Sequence, residues 1–255
     1  MSISESLSER EYLPVYDYKD GLQRSTKYQD EIDWAVAPIH DGVKTQSLMR
    51  TIFVGALLFI TIGGFIYNPH VAYAVTFTLW GMYATIFTFI LLIIHTMRKE
   101  EALERSHTFL SNLWVIMFTL SLVWEIIITI VFWSLLYHEF HPFSSFGAFW
   151  NHGFHILPVL FLLIDYFTNE WRLQHKHIWI SLSASFVYAV FNAALVLISG
   201  RVIYPILTWK DWQSYVYIIG MIIALFIFHH FFVWLSYKKL RKSNRNDDYN
   251  CENNA

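Results

Sequence analysis

Six stretches of this chain stay apolar over about the 17–25 residues that a bilayer crossing requires, and this restricts what it can fold into. They cover residues 48–68, 72–97, 109–137, 149–168, 178–199 and 214–237. Backbone surrounded by hydrocarbon must satisfy its own hydrogen bonds, so each stretch reads as a helix. The expected fold is an all-α bundle of six transmembrane helices spanning residues 48–237. A polar N-terminal arm (1–47) precedes it, and a basic then polar tail (238–255) follows. The hydrophobic share of 55% and the aromatic share of 19% exceed what an ordinary soluble domain carries.

Lysine and arginine set an orientation. Of the 18, six lie from Arg10 to Arg50. Three (Arg98, Lys99, Arg105) separate spans two and three, and two (Arg172, Lys176) separate spans four and five. Five follow span six, and only Arg201 and Lys210 fall on the opposite side. By the positive-inside rule both termini face the cytoplasm, or the matrix in a mitochondrial membrane. The organelle stays open among endomembrane, plasma membrane and inner mitochondrial membrane. The N-terminus carries no apolar core of a secretory signal and too many acidic residues for a mitochondrial presequence, leaving the first span as the expected targeting signal. A net charge of −2 gives no reason to expect nucleic acid, and the single cysteine, Cys251, has no partner for an intrachain disulfide.

Within this frame one segment is unusual. In FWNHGFHILPVLFLLID, starting at Phe149, Asn151, His152 and His155 stand where the chain enters lipid. Their i, i+3 and i, i+4 spacing puts them on one helix face. Pro158 removes the helical donor to the Phe154 carbonyl and is expected to bend the helix there. Thr78 on span two lies at a matching depth of roughly 9 Å from the outer interface. Asn192 on span five is close to that level, and Glu125 on span three lies deeper. Ionisable residues inside a membrane usually face the bundle interior or a wet cavity, so these side chains predict a polar pocket in the outer half. The plainer alternatives are helix-end capping by Asn151 and His152, a packing role for His155, and a structural hydrogen bond for Glu125. Trp80, Trp133, Trp150, Trp209 and Trp212 read as interfacial anchors.

A histidine beside a hydroxyl can act as general base while the hydroxyl attacks an acyl carbon. An amide or backbone N–H, from Asn151, Asn192 or Gly153, would stabilise the oxyanion. No GxSxG, HExxH, GxGxxG or P-loop pattern is present. Histidines at two depths also fit a di-haem bundle in outline, although His95 stands at a helix end. A proton-coupled transporter is a further alternative, but paired broken helices are missing from the two halves.

The same segment resembles the diagnostic stretch of the androgen-induced membrane hydrolases, a family that includes the androgen-dependent TFPI-regulating protein. VFWSLLYHEF just before it is similar to the same family. VYAVFNAALVLISGRVIYPILTWKDW resembles both that family and the related rolling-stone-like membrane proteins. The likeness covers roughly residues 50–237. It implies a multi-span threonine hydrolase that splits fatty-acid esters of hydroxy fatty acids, without a cofactor. His155 matches the catalytic histidine, and Thr78, with Thr76 as the neighbouring alternative, matches the catalytic threonine. Asn151, His152, Glu125 and Asn192 are the expected supporting residues of the pocket. The expected partners are membrane lipid and a lipid-ester substrate. The long N-terminal arm departs from the hydrolases and keeps a second class open: a non-catalytic scaffold, or an accessory subunit that docks into a larger membrane complex through that arm.

Overall fold

The structure, a computed structural model, describes residues 43–67, 75–97, 109–137, 145–169 and 173–253. All regular structure among them is helical. The helices are α1 (Val43–Tyr67), α2 (Phe77–Met97), α3 (Phe109–Val131), α4 (Ser145–Thr168), α5 (Ile178–Ser199) and α6 (Trp212–Asn253). A π-helical turn, Phe132–Leu136, extends α3, and a 3-10 turn, His175–His177, leads into α5. Each of the six has a segment long and apolar enough to cross a membrane. The chain is a multi-pass integral membrane protein. Its outer faces fit that setting, with Ile66, Trp179, Phe186 and Ile198 all largely exposed.

Helix ends differ from the expected ones in an informative way. α4 begins at Ser145, so Asn151, His152 and His155 already lie inside a formed helix. α2 begins at Phe77, which places Thr78 in its first turn rather than well inside a span. α6 runs on as helix through Asn253, across much of the expected tail. The N-terminal arm lies outside the described residues, except that Val43–Ser47 are already helical.

The centre of the bundle is α3. Its membrane window is 72% buried, against 22% for those of α5 and α6. Helices α1 to α4 pack closely because small residues let them approach, as membrane interfaces favour. Gly63 and Gly64 of α1 lie against the rings of Trp150 and Phe154 of α4, and Gly81 of α2 lies against Glu125 and Ile128 of α3. The helices α5 and α6 each meet α3 more extensively than they meet one another.

Two polar networks tie the end of the bundle where α4 finishes. Arg50 of α1 donates from Nε to Asp165 Oδ1 at 2.7 Å and from Nη2 to Oδ2 at 3.4 Å. Its Nη1 donates to Thr96 Oγ1 of α2 at 2.7 Å. All three residues are buried. Arg50, one of the six basic residues from Arg10 to Arg50, thus forms an internal ion pair at a junction of three helices. Nearby, the Tyr166 hydroxyl donates to the Phe232 carbonyl at 3.0 Å, and Lys239 donates to the carbonyls of Tyr166 and Asn169, fastening α6 to the end of α4.

Candidate functional site

At the opposite end, α2, α3, α4, α5, α6 and the loop 200–211 enclose a cavity of about 340 Å³. That is within the usual size of small-molecule sites. Thr78, His155 and Asn192 all line it, although they come from three separate helices. The remaining lining is mostly aliphatic and aromatic, with Tyr188, Tyr204 and the Trp209 indole as polar groups toward the loop and Ser185 deeper along α5.

Local structure explains each position. The Thr76 side chain accepts the Leu79 N–H at 3.4 Å, and its carbonyl accepts the Trp80 N–H. Thr76 is therefore the N-cap of α2, a role its hydroxyl suits. Thr78 lies two residues on and is the threonine at the cavity. The Phe77 N–H, one of the orphan donors of a helix start, donates to the Tyr204 hydroxyl at 2.8 Å. The hydroxyls of Thr78 and Tyr188 stand beside that of Tyr204, and burial pushes the Tyr204 phenol above its ordinary value. Tyr204 thus stays a protonated donor across the physiological range.

His155 is 7% exposed and stacks on Phe132 with ring centroids 3.5 Å apart. Its Nδ1 is buried without a hydrogen-bond partner. Leaving such a group unpaired costs about 1–3 kcal/mol. Phe132 opens the π-helical turn, closed by the Tyr137 N–H donating to the Phe132 carbonyl at 2.7 Å. Single π turns recur at functional sites because the extra residue re-aims side chains. Here the turn brings Phe132 against His155 and Trp133 against His152, the latter pair stacked at 5.1 Å. The Thr129 hydroxyl donates to the His155 carbonyl at 2.7 Å, next to the Phe154 carbonyl that Pro158 leaves without its helical donor.

Three expected pocket residues lie elsewhere. Asn151 donates from Nδ2 to the Gly147 carbonyl of its own helix at 3.0 Å, the bonding-back of a short amide near a helix start. His152 is held in the Trp133 and Tyr137 stack. Glu125 is fully buried but points at α2, accepting from Thr85 Oγ1 at 3.3 Å, with Oε2 lacking a partner. None of the three lines the cavity. Of these neighbours on α4, His155 meets the cavity and His152 meets the aromatic turn. Gly153 does not serve the cavity either; it makes room for Ile60 of α1.

The loop 200–211 supplies residues that spacing could not reveal. Trp209 has φ +59°, a left-handed conformation that is uncommon for a bulky residue. Its indole N–H donates to Asn192 Oδ1 at 2.8 Å and its backbone N–H to Ser214 Oγ at 3.0 Å. Asp211 caps α6, accepting the Ser214 N–H at 3.0 Å and the Thr208 hydroxyl at 2.5 Å. Those hydrogen bonds, the one from Thr208 foremost, hold its carboxyl below the usual value. Trp209, expected as an interfacial anchor, lines the cavity and bonds to Asn192 there. Trp150 is likewise buried against α1, and of the five expected anchors Trp212 is the most exposed. The only legible signal for Tyr204 and Trp209 was their place in the YPILTWKDW stretch.

The histidines at the other end have local partners. His229 Nε2 meets the Gln174 carbonyl at 3.1 Å, and His230 Nδ1 meets His175 Nδ1 at 3.0 Å. His95 packs on Trp114. Among the described residues no three histidine, cysteine or acidic side chains gather as a metal site.

Fold and cavity together define a class: a six-helix membrane protein with an intramembrane chamber, apolar in bulk and polar at one end. Comparison with protein-family models, with curated proteins and with solved structures returned no match.

Proposed function

We propose that the cavity is the active site of an intramembrane hydrolase of long-chain lipid esters, of the fatty-acid ester of hydroxy fatty acid type. Thr78 is the nucleophile and His155 the base. The observation that supports this reading is that these two residues, 77 positions apart in sequence, both line one apolar chamber. The unpartnered Nδ1 of a buried histidine at that wall supports it further. The resemblance to the androgen-induced hydrolases, which matches His155 in the FWNHGFH segment and Thr78 early in the second span, points to the same pair.

In the reaction the Thr78 hydroxyl adds to the ester carbonyl while its proton passes to the His155 ring. The tetrahedral oxyanion takes a hydrogen bond from the Tyr204 hydroxyl. Collapse expels the alcohol half, which leaves with the proton from His155, and water then splits the acyl-threonine by the reverse sequence. No hydrogen bond joins Thr78 to His155 among the described residues, so proton transfer requires the two to close to hydrogen-bonding reach, directly or through one water.

The test is ester turnover by the purified full chain in mild detergent, across several branched fatty-acid esters. Thr78→Ala and His155→Ala should each reduce turnover to background, and the double variant should be no worse, because the pair acts as a unit. Thr78→Ser should retain activity, whereas Thr76→Ser should behave as wild type. Wild-type turnover equal to that of Thr78→Ala for every ester would defeat the hydrolase reading in favour of a scaffold or accessory-subunit role.

A further inference from the structure

The cavity has one wall that differs from the rest. Phe186 of α5 and Ile222 of α6 both line it, yet they are 70% and 41% exposed on the outside of the bundle. A side chain that faces both the chamber and the surroundings is the whole thickness of the wall at that point. In a membrane-spanning bundle those surroundings are acyl chains. The wall is contributed by α5 and α6, each of which leans mainly on α3.

The interior of the cavity is graded along this opening. Of its polar groups, Thr78, Asn192 and Tyr204 are near the loop, whereas Ser185 lies deeper with its hydroxyl accepting the Trp124 indole N–H at 2.9 Å. Its other extreme is reached at Ile127, Leu182 and Leu225. There the cavity ends on a cluster in which Val123, Ile127, Ile178 and Leu225 are buried and Leu182 packs against them. From Asn192 to Leu182 the axis of α5 advances about 15 Å. The space is therefore a long apolar slot, polar at one end, closed at the other and thin-walled toward lipid.

We infer that this slot binds a single acyl chain of a membrane lipid, admitted sideways between α5 and α6 past Phe186 and Ile222, with Ile127, Leu182 and Leu225 as the floor that limits chain length. This extends the lipid-ester reading of the same cavity by naming the entry route and the length gauge. A chain arriving from the bilayer leaves hydrocarbon for an apolar slot, so the journey exposes no polar backbone and leaves its ester group beside Thr78.

The test is photolabelling of the full chain in phosphatidylcholine nanodiscs, using palmitoyl and octanoyl esters that carry a diazirine at the chain terminus. The palmitoyl probe should crosslink to the floor, at or next to Leu182 and Leu225. Leu225→Trp fills the floor and should reduce that labelling about tenfold relative to the octanoyl probe, the loss of roughly two buried methylenes. Ile222→Trp, on the outer wall, should slow labelling within the cavity by both probes. Label spread over the lipid-facing surface without enrichment at the floor would overturn the inference. So would an Ile222→Trp variant labelled as fast as wild type. Labelling needs no turnover, so floor labelling without hydrolysis would remove only the chemistry assigned to Thr78 and His155. Hydrolysis without floor labelling would remove only the slot.

Discussion

Single residues set the stability of one end of this molecule and, on the proposed reading, the chemistry of the other. Arg50 and Asp165 are both buried, and neither has water to fall back on. Removing one member of such a pair leaves an uncompensated charge, at a cost of about 3–5 kcal/mol. Asp165→Ala should therefore lower thermal stability in detergent sharply. Arg50→Met with Asp165→Leu should recover most of the loss, since an apolar pair of similar volume carries no stranded charge. A double variant as unstable as the single one would contradict this account. The sequence made His155 and Thr78 legible because polar atoms inside apolar runs need a reason. It could not rank them against Asn151, His152 and Glu125, which satisfy the same rule through a helix carbonyl, an aromatic stack and Thr85. Arg50 was hidden by its position near a span's start, where a basic residue reads as interfacial.

Among the elements, the helices were legible and the loop was not. Apolar runs of bilayer length leave the backbone no choice, so all six helices follow from hydropathy, with ends off by a few residues. The loop 200–211 depends on side-chain hydrogen bonds between positions 208, 209, 211 and 214, which no periodicity announces. Asp211 gives it a defined pH response. Its folded-state carboxyl is depressed, so its stabilisation is present above the ordinary carboxylate value near about 3.9 and is lost as pH falls through the lower folded value. Amide exchange at Trp209 and Ser214, corrected for intrinsic rates, should stay protected from neutral pH down to about that value and then rise. Asp211→Ala should exchange fast throughout. Equal protection in the variant would exclude Asp211 as the latch. The π-helical turn was equally invisible, because one surplus residue in an apolar run leaves hydropathy unchanged.

At the level of the whole molecule, six crossings would return the chain to the side from which it starts, and by the positive-inside rule the basic residues would mark that side as the inner one. In a Cys251→Ser background, Ser144→Cys and Lys210→Cys should react with an impermeant thiol reagent from one face. Ser106→Cys and Ser243→Cys should react from the other. Labelling of Ser144→Cys and Ser106→Cys from the same face would require a different number of crossings. The uneven burial of the helices has a further consequence. Because α1 to α4 interlock through glycine contacts while α5 and α6 rest on α3, the protein is divisible along the line that the cavity follows. Cut between α4 and α5, it would yield a four-helix fragment holding Thr78 and His155 and a two-helix fragment holding Asn192 and Trp209. Neither piece would own the chamber, and co-expression of the two would report its assembly by fragment complementation.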